Sequence, residues 1–339
     1  MLQVTENGIY CAAGGFYIDP WGAVDRALIT HAHSDHLRPG SAHYLTALTG
    51  ERLLRARLGE VAAIEVVAYG EPVSFDGVRV SLHPAGHVLG SAQVRIEYRG
   101  EVWVVSGDYK TEPDPTCAAF EPLRCHTFVS ESTFGLPIYR WRPQGEVFEL
   151  INSWWRSNQE RGRASLLFAY SLGKAQRVLA GVDPSIGPIY THGAVEKLTE
   201  IYRDQGIALA STARAVGAEA PDWSRSLILA PPTANGTPWM RRFGELSTGF
   251  ASGWMRIRGA RRRRSLDRGF VLSDHADWPA LLETIAATGA SSVWVTHGYR
   301  LPLVRWLRDK GLDARAIDTH FEGEQDETGS GDIAGEASE

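Results

Sequence analysis

The segment from His31 to His36, His-Ala-His-Ser-Asp-His, constrains this chain more than any other, because it puts four potential metal ligands directly after an apolar run. Residues 26–30 before it are mostly apolar or β-branched and predict a short buried strand. In extended backbone His31 and His33 lie two positions apart, so both rings project to the same side. This pattern is typical of a metal site and rarely arises in an ordinary polar surface loop.

Asp35 and His36 follow at once and extend the same pattern. If a helix begins near Asp35, the two adjacent side chains can reach a point next to the one that His31 and His33 share. Neutral imidazoles and carboxylates suit zinc, manganese or iron. The segment therefore predicts two neighbouring divalent metal ions, and zinc or manganese is expected.

The same design recurs along the chain, because strand-like apolar runs repeatedly end in an acid or a histidine. In layered α/β architectures the carboxyl ends of strands share one edge, where binding sites are assembled. The repetition predicts an α/β fold with one site built from distant segments. The residues delivered in this way are His31, His87, Asp108, Glu131, His275 and His297.

Asp19 stands between the apolar run 16–18 and Pro20, and two interpretations of it stay open. It is either a plain turn residue or a carboxylate that orients a ligand imidazole, a role that metal sites commonly require.

The chain has 339 residues, enough for one large domain or two ordinary ones. Its start has neither a basic region nor an apolar core, so no signal peptide is expected. The longest apolar runs are too short for a membrane span. Three cysteines without zinc-finger spacing fit a reduced, cytoplasmic protein.

Between Glu131 and His275 helical and strand-like patterns alternate, for example a helical stretch at 145–159 and strands at 165–170 and 226–230. Because ligand-like residues lie on both sides, we expect an α/β unit inserted into the first domain. The predicted domains are 1–138 and 265–321 for the first domain and 139–264 for the insert. Residues 322–339 are acidic, carry no Lys or Arg, and predict a disordered tail.

Two features suggest contact with nucleic acid. An arginine run, Arg261, Arg262, Arg263 and Arg264, leads into the strand before His275, and phosphate-backbone binding is favoured over a solvated loop. The turn from Ser171 to Lys174 offers backbone N–H groups, a hydroxyl and an ammonium to an anion. An ordinary helix start is the equal alternative for Ser171 and Lys174.

Together these motifs resemble the metallo-β-lactamase superfamily and, within it, the β-CASP nucleases. The resemblance covers nearly everything except the acidic tail. It implies a four-layer αββα sandwich with an inserted β-CASP α/β domain. The segments 8–21 and 268–278 are similar to those of bacterial ligase-associated DNA exonucleases.

The resemblance also implies roles for single residues. Asp19 matches the first motif, and Glu131, His275 and His297 fall on the three β-CASP motifs. One metal would be held by His31, His33, His87 and Asp108. The other would be held by Asp35, His36, His297 and Asp108, so that Asp108 bridges the two ions.

The implied function is a metal-dependent DNA exonuclease of DNA repair, which hydrolyses phosphodiester bonds of single-stranded DNA with a metal-activated water. Asp35, Asp108, Glu131 and His275 are the expected catalytic residues, and a DNA ligase is the expected functional associate. The alternative is a β-CASP ribonuclease, because His297 stands where RNA-cleaving members carry histidine. The large insert and the arginine run argue against a small-molecule hydrolase, and the filled ligand positions argue against a metal-free binding protein.

Overall fold

The computed structural model describes residues 1–216, 222–257 and 266–318 and arranges them as three β-sheets with helices packed on them. The arginine run 261–264 and the acidic tail 322–339 lie outside these residues. Within the described ranges, no helix has both the length and the apolar surface needed to cross a bilayer.

The first sheet is formed by the first six strands, which lie side by side in chain order. The helix α1 (Glu51–Leu58) connects the fifth strand to the sixth. The strands are β1 (Leu2–Thr5), β2 (Gly8–Cys11), β3 (Phe16–Ile18), β4 (Arg26–Leu28), β5 (His43–Ala47) and β6 (Ile64–Val67).

The second sheet has seven strands and combines two distant parts of the chain. Its strands are β7 (Pro72–Phe75), β8 (Val78–Pro84), β9 (Ala92–Tyr98), β10 (Glu101–Val105), β11 (Thr127–Glu131), β18 (Ser292–Thr296) and β19 (Asp313–Ala316). The spatial order is β19-β18-β11-β10-β9-β8-β7. Strands β7 to β10 pair antiparallel, whereas β10, β11, β18 and β19 pair parallel.

The third sheet is wholly parallel and lies between β11 and β18 in sequence, with the order β14-β13-β15-β12-β16-β17. Its elements are α2 (Gln144–Glu160), β12 (Ala164–Phe168), α3 (Lys174–Gly181), β13 (Ile189–Thr191), α4 (Gly193–Asp204), β14 (Ala213–Arg214), β15 (Leu227–Ala230), β16 (Leu246–Ala251) and β17 (Arg268–Phe270). Helix α2 and strands β12 and β15 lie where the sequence predicts them. The strand that the sequence predicts before His275 ends at Phe270.

The pairing of β11 with β18 explains how the chain can leave the second sheet and return to the same place. The two strands are parallel neighbours, and Glu131 lies opposite Thr296. The residues between them therefore leave the second sheet after β11 and return to it at the neighbouring strand β18. The return brings Glu131 and His297 to the same end of the sheet.

Three apolar layers fix these strand ends. The first and second sheets pack face to face through residues such as Leu28, Val80 and Val129. The outer face of the second sheet is covered by α5 (Trp278–Thr288) and α6 (Arg300–Asp309). The outer face of the first sheet is covered by α1 and α4. The predicted α/β class is confirmed as a mixed α/β fold.

Strand β4 shows how the sequence produces this layering. Leu28 points into the core between the sheets, whereas Ala27 points to the cluster that contains α1 and α4. Side chains alternate across a strand, so a strand covered on both faces is apolar at every position. This double burial holds the backbone rigidly just before His31.

Candidate metal centre

The polar residues at the strand ends form one buried group in the structure. His31 follows β4, His87 follows β8, Asp108 follows β10, and His297 follows β18. The first three are almost completely inaccessible to solvent. Residues 33–37 form a turn and not the helix that the sequence suggested. In this turn the N–H groups of His36 and Leu37 donate to the His33 carbonyl.

We call His31, His33, His87 and Asp108 the first cluster. His33 Nδ1 lies 3.1 Å from His31 Nε2 and 3.0 Å from His87 Nε2. Asp108 Oδ2 lies 3.5 Å from His31 Nε2 and 3.8 Å from His87 Nε2. One potential ligand atom from each residue therefore faces the same point.

In a neutral ring, the outer hydrogen bonds place the proton of His31, His33 and His87 on the nitrogen that faces away from the shared point. The Thr30 hydroxyl donates to Asp19 Oδ2 at 2.6 Å, so it accepts the proton of His31 Nδ1 at 3.1 Å. His33 Nε2 donates to the Leu172 carbonyl at 3.2 Å, and His87 Nδ1 donates to the Asp274 carbonyl at 2.9 Å. In a neutral imidazole the remaining nitrogen then presents a lone pair.

The electrostatics agree with neutral rings. Burial lowers the pKa of His31 and of His87 well below the usual value, and neighbouring histidines lower the pKa of each further. Three lone pairs facing one another at about 3 Å repel, whereas a cation between them satisfies all three. The donor set of the first cluster therefore fits a divalent metal ion with nitrogen preference, such as zinc.

The second cluster consists of Asp35, His36 and His297. His36 Nδ1 donates to Asp19 Oδ2 at 2.7 Å, so Nε2 is the atom that faces the centre. His36 Nε2 lies 3.8 Å from Asp35 Oδ2, and the rings of His36 and His297 stack with centroids 4.8 Å apart. Burial alone would lower the pKa of His36, but Asp108, Asp35 and Asp19 raise it well above the usual value.

Asp108 stands between the two clusters. Its Oδ2 lies 3.3 Å from His36 Nε2 and 3.5 Å from His31 Nε2, one residue of each cluster. Burial alone would raise the pKa of Asp108, but His36 and His275 hold it well below the usual value. Asp108 Oδ1 and His36 Nε2 are buried without a hydrogen-bond partner. Such orphaned atoms are expected of ligands to a shared pair of ions.

Glu131 and His275 form a third group beside Asp108. His275 Nδ1 donates to Glu131 Oε2 at 2.9 Å, and the Tyr109 N–H donates to Glu131 Oε1 at 2.7 Å. His275 Nδ1 lies 3.9 Å from Asp108 Oδ2. Because Glu131 fixes the proton on Nδ1, Nε2 of His275 is the atom that can exchange a proton with a bound molecule.

Known proteins are similar to this chain over most of its length or over part of it. A "Probable DNA ligase" of Opitutus terrae is 31% identical over 322 residues, 92% of this chain and 30% of that protein. An "Endoribonuclease YSH1" of Saccharomyces cerevisiae is 34% identical over 124 residues, 35% of this chain and 15% of that protein. "Cleavage and polyadenylation specificity factor 73" of Drosophila melanogaster is 27% identical over 184 residues, 51% of this chain and 26% of that protein.

The chain belongs to the β-CASP branch of the metallo-β-lactamase superfamily. It spans less than a third of the length of each of these three relatives. No protein-family model matches it. A solved structure titled as a protein of unknown function from Enterococcus faecalis superposes with a TM-score of 0.55 at 12% identity, and the match covers 88% of this chain and 80% of that one.

In this β-CASP protein, the Asp19 carboxylate contacts His36 of the second cluster and Thr30, the chain neighbour of His31. The carboxylate accepts from the Thr30 N–H at 2.8 Å, from the Thr30 hydroxyl and from His36 Nδ1. The backbone of Asp19 is left-handed, with φ of 44°. Of the two interpretations that the sequence left open, the contacts match the orienting carboxylate.

The turn predicted to bind phosphate lies in the interior. Ser171 and Lys174 are both buried, and Lys174 Nζ lies 3.0 Å from Asp274 Oδ1. Contact of these two residues with nucleic acid stays a prediction, as does contact of Arg261, Arg262, Arg263 and Arg264, which lie outside the described residues.

Sequence reasoning missed Asp274 and Arg177. Asp274 precedes His275 in Ser-Asp-His-Ala-Asp, where it is easily taken for a polar neighbour of the histidine. Its carboxylate is buried, and Lys174 together with His87 and His275 keeps its pKa well below the usual value even though burial opposes this. Arg177 is buried and its Nη2 donates to the His87 carbonyl at 3.1 Å. An arginine inside the amphipathic pattern of α3 was the available signal.

Proposed function

We propose that this protein is a metal-dependent nuclease and, more specifically, a DNA exonuclease that hydrolyses phosphodiester bonds of single-stranded DNA. The observation that carries the proposal is the arrangement around Asp108. Two ligand clusters meet at this one carboxylate, and the pair Glu131–His275 lies on its other side. This combination provides sites for two cations and a proton-exchanging imidazole within one buried centre.

In this proposal the first cluster, which includes Asp108, would hold one divalent ion, and the second cluster together with Asp108 would hold the other. The ions are zinc or manganese. When bound, such a pair activates a water and offsets the negative charge that builds up on the phosphate. Asp35 and Asp108 are catalytic through these contacts.

The protein's own residues then supply orientation and a proton. Glu131 holds the Nδ1–H of His275, so Nε2 can contact the scissile phosphate or protonate the leaving oxygen. Burial raises the pKa of Glu131, although His275 opposes the shift. A cleft of about 250 Å³, lined by His275, Trp141, Arg142 and Lys110, gives space next to this pair.

The match to the ligase-named protein across nearly the whole chain supports DNA as the substrate. It also supports a role in DNA repair alongside a ligase. A cytoplasmic location is proposed from the three cysteines without zinc-finger spacing. The ribonuclease alternative is favoured by two observations. One relative is named an endoribonuclease, an enzyme that cleaves RNA. In addition, His297 is one of the residues of the second cluster.

The architecture belongs to the same proposal. The first two sheets and the helices on their outer faces are taken as the αββα sandwich, formed by residues 1–138 and 265–321. Residues 139–264, with most of the third sheet, are taken as the β-CASP insert. The DNA strand would bind along the insert, with Arg261, Arg262, Arg263 and Arg264 as phosphate contacts.

The test is a time course on a single-stranded DNA and an RNA of the same sequence, each labelled separately at either end, with zinc or manganese added. Stepwise shortening of the DNA from one end is expected and gives the polarity. Preferential loss of RNA would replace the DNA proposal by the ribonuclease. Absence of cleavage of both strands, with zinc bound, would contradict the nuclease proposal.

A further inference from the structure

Lys174 is the first residue of α3, in the insert, yet its side chain is completely buried. Its ammonium lies 3.0 Å from Asp274 Oδ1 and 4.5 Å from the centre of the Tyr170 ring. Asp274 is equally buried, with 1% of its surface exposed. A lysine placed to bind a strand would keep its ammonium in solvent, whereas this one neutralises a carboxylate of the chain itself.

The residues around Lys174 contact the first cluster directly. The Leu172 carbonyl accepts the Nε2 proton of His33 at 3.2 Å, which leaves Nδ1 of His33 for the metal. Gly173 has φ of +84°, and a Cβ on it would lie 2.3 Å from Val88 Cγ1. The absence of a side chain at Gly173 therefore allows the turn to approach the loop that carries His87.

His87 is held from two sides by partners linked to the same helix. Its Nδ1 donates to the carbonyl of Asp274, the residue that Lys174 pairs with. Its own carbonyl accepts from Arg177 Nη2 at 3.1 Å, and Arg177 lies one turn after Gly173. The orientation of His87 is therefore fixed through Asp274 on the ring and through Arg177 on the backbone.

We propose that the insert sets the metal-binding geometry of the first cluster through Leu172, Lys174 and Arg177, and that Lys174 is a positioning residue that acts through Asp274. The inference rests on the proposed metal centre. Removing the ammonium would leave a buried carboxylate uncompensated beside His87 and His275, and such a charge forces a local rearrangement. The rearrangement would displace the carbonyl that fixes the tautomer of His87.

The decisive variant is Lys174→Met, which keeps the length of the side chain and removes its charge. Loss of a partner that orients a metal ligand weakens metal binding by about 10–100-fold. We expect a loss of zinc affinity in this range, measured by competition with a chromophoric chelator. The salt dependence of DNA binding to the zinc-loaded protein should remain that of the wild type. Lys197→Met removes an exposed lysine of the same insert and should change neither quantity.

A second variant guards against simple misfolding. In Lys174→Met/Asp274→Asn no buried charge is left unpaired, so zinc affinity should recover toward the wild-type value relative to Lys174→Met. Circular dichroism checks that each variant is folded, and the double variant is decisive if the single one does not fold.

Wild-type zinc affinity in Lys174→Met would overturn the inference. If DNA binding in that variant also lost about 0.7 from its log–log salt slope, Lys174 would be a phosphate contact. An unrecovered double variant would equally contradict action through Asp274. Failure of the proposed function is distinguishable, because it would appear as absence of zinc or cleavage in the wild type itself.

Discussion

The two ligand clusters differ in how many separate segments hold them. In the first cluster each imidazole is anchored by a partner from outside the centre: a threonine hydroxyl, the Leu172 carbonyl and the Asp274 carbonyl. Two of these anchors belong to segments far along the chain. In the second cluster Asp35 and His36 come from one turn, and Nδ1 of His297 lies 3.2 Å from the hydroxyl of its chain neighbour Thr296.

Burial differs in the same direction. Three of the four residues in the first cluster are buried, whereas in the second cluster only His36 is. Fixed, desolvated ligands lose little entropy when a metal binds, whereas half-buried ligands with fewer anchors must be ordered at that moment. We infer that the first cluster binds its ion more tightly and the second exchanges its ion more readily.

Replacing Asp108 should have the largest effect, because this residue serves both clusters. In Asp108→Ala we expect turnover to fall by about 10³-fold or more, since the charge stabilisation that both ions give is lost. Metal content, measured by mass spectrometry, should fall for both sites. Near-normal activity would reject Asp108 as the shared ligand and leave the clusters independent.

Replacing His275 should separate proton exchange from metal binding. In His275→Ala we expect turnover to fall by about 10²–10⁴-fold, the range for loss of a general acid or base. Metal content should match the wild type, because His275 belongs to neither the first nor the second cluster and its Nδ1 is held by Glu131. Simultaneous loss of metal would move His275 into the ligand set.

A matched pair of variants, His33→Ala and His297→Ala, tests whether the two clusters bind zinc as distinct sites. In His297→Ala, a chelator should remove the zinc ion of the second cluster more easily than in the wild type. The zinc ion of the first cluster, which we infer to be the more tightly bound, should be retained. His33→Ala should instead lower the zinc affinity of the first cluster. If the two variants lose the same equivalent, the clusters are not distinct sites.

The smallest effect is expected for Asp19→Asn. Asparagine tolerates the left-handed backbone of Asp19, so the change mainly removes the charge that orients His36. We expect affinity at the second cluster to fall by about 10–100-fold and affinity at the first to change less. Equal weakening at both would show that the Asp19–Thr30 bonds orient His31 as strongly as His36.

The sequence predicted the strand ends well because each depends on local pattern. Val102 to Val105 and Val293 to Val295 form apolar runs, and the polar residues that follow them lie at one edge in the structure. The helix α2 was visible from its periodicity in the same way. The early end of β17 at Phe270 was not visible in the pattern. Val271 and Leu272 are still apolar, although their backbone no longer belongs to the sheet.

The contacts between distant segments could not be predicted. The bond between His33 and Leu172 joins residues 139 apart, and the bond between His87 and Asp274 joins residues 187 apart. Nothing in the local pattern of Lys174 distinguishes a solvent-facing ammonium from one paired with Asp274. Such pairings depend on how the insert packs against the first two sheets, which periodicity does not encode.

The position of β18 beside β11 has a consequence for protein synthesis. Thr127 to Glu131 lie next to a strand that the ribosome makes more than 150 residues later, and His297 follows that strand. A growing chain that ends before His297 already contains the other six residues of the two clusters, but its second cluster is incomplete. The complete centre can therefore assemble only after the residues between β11 and β18 have been translated and β18 has paired with β11.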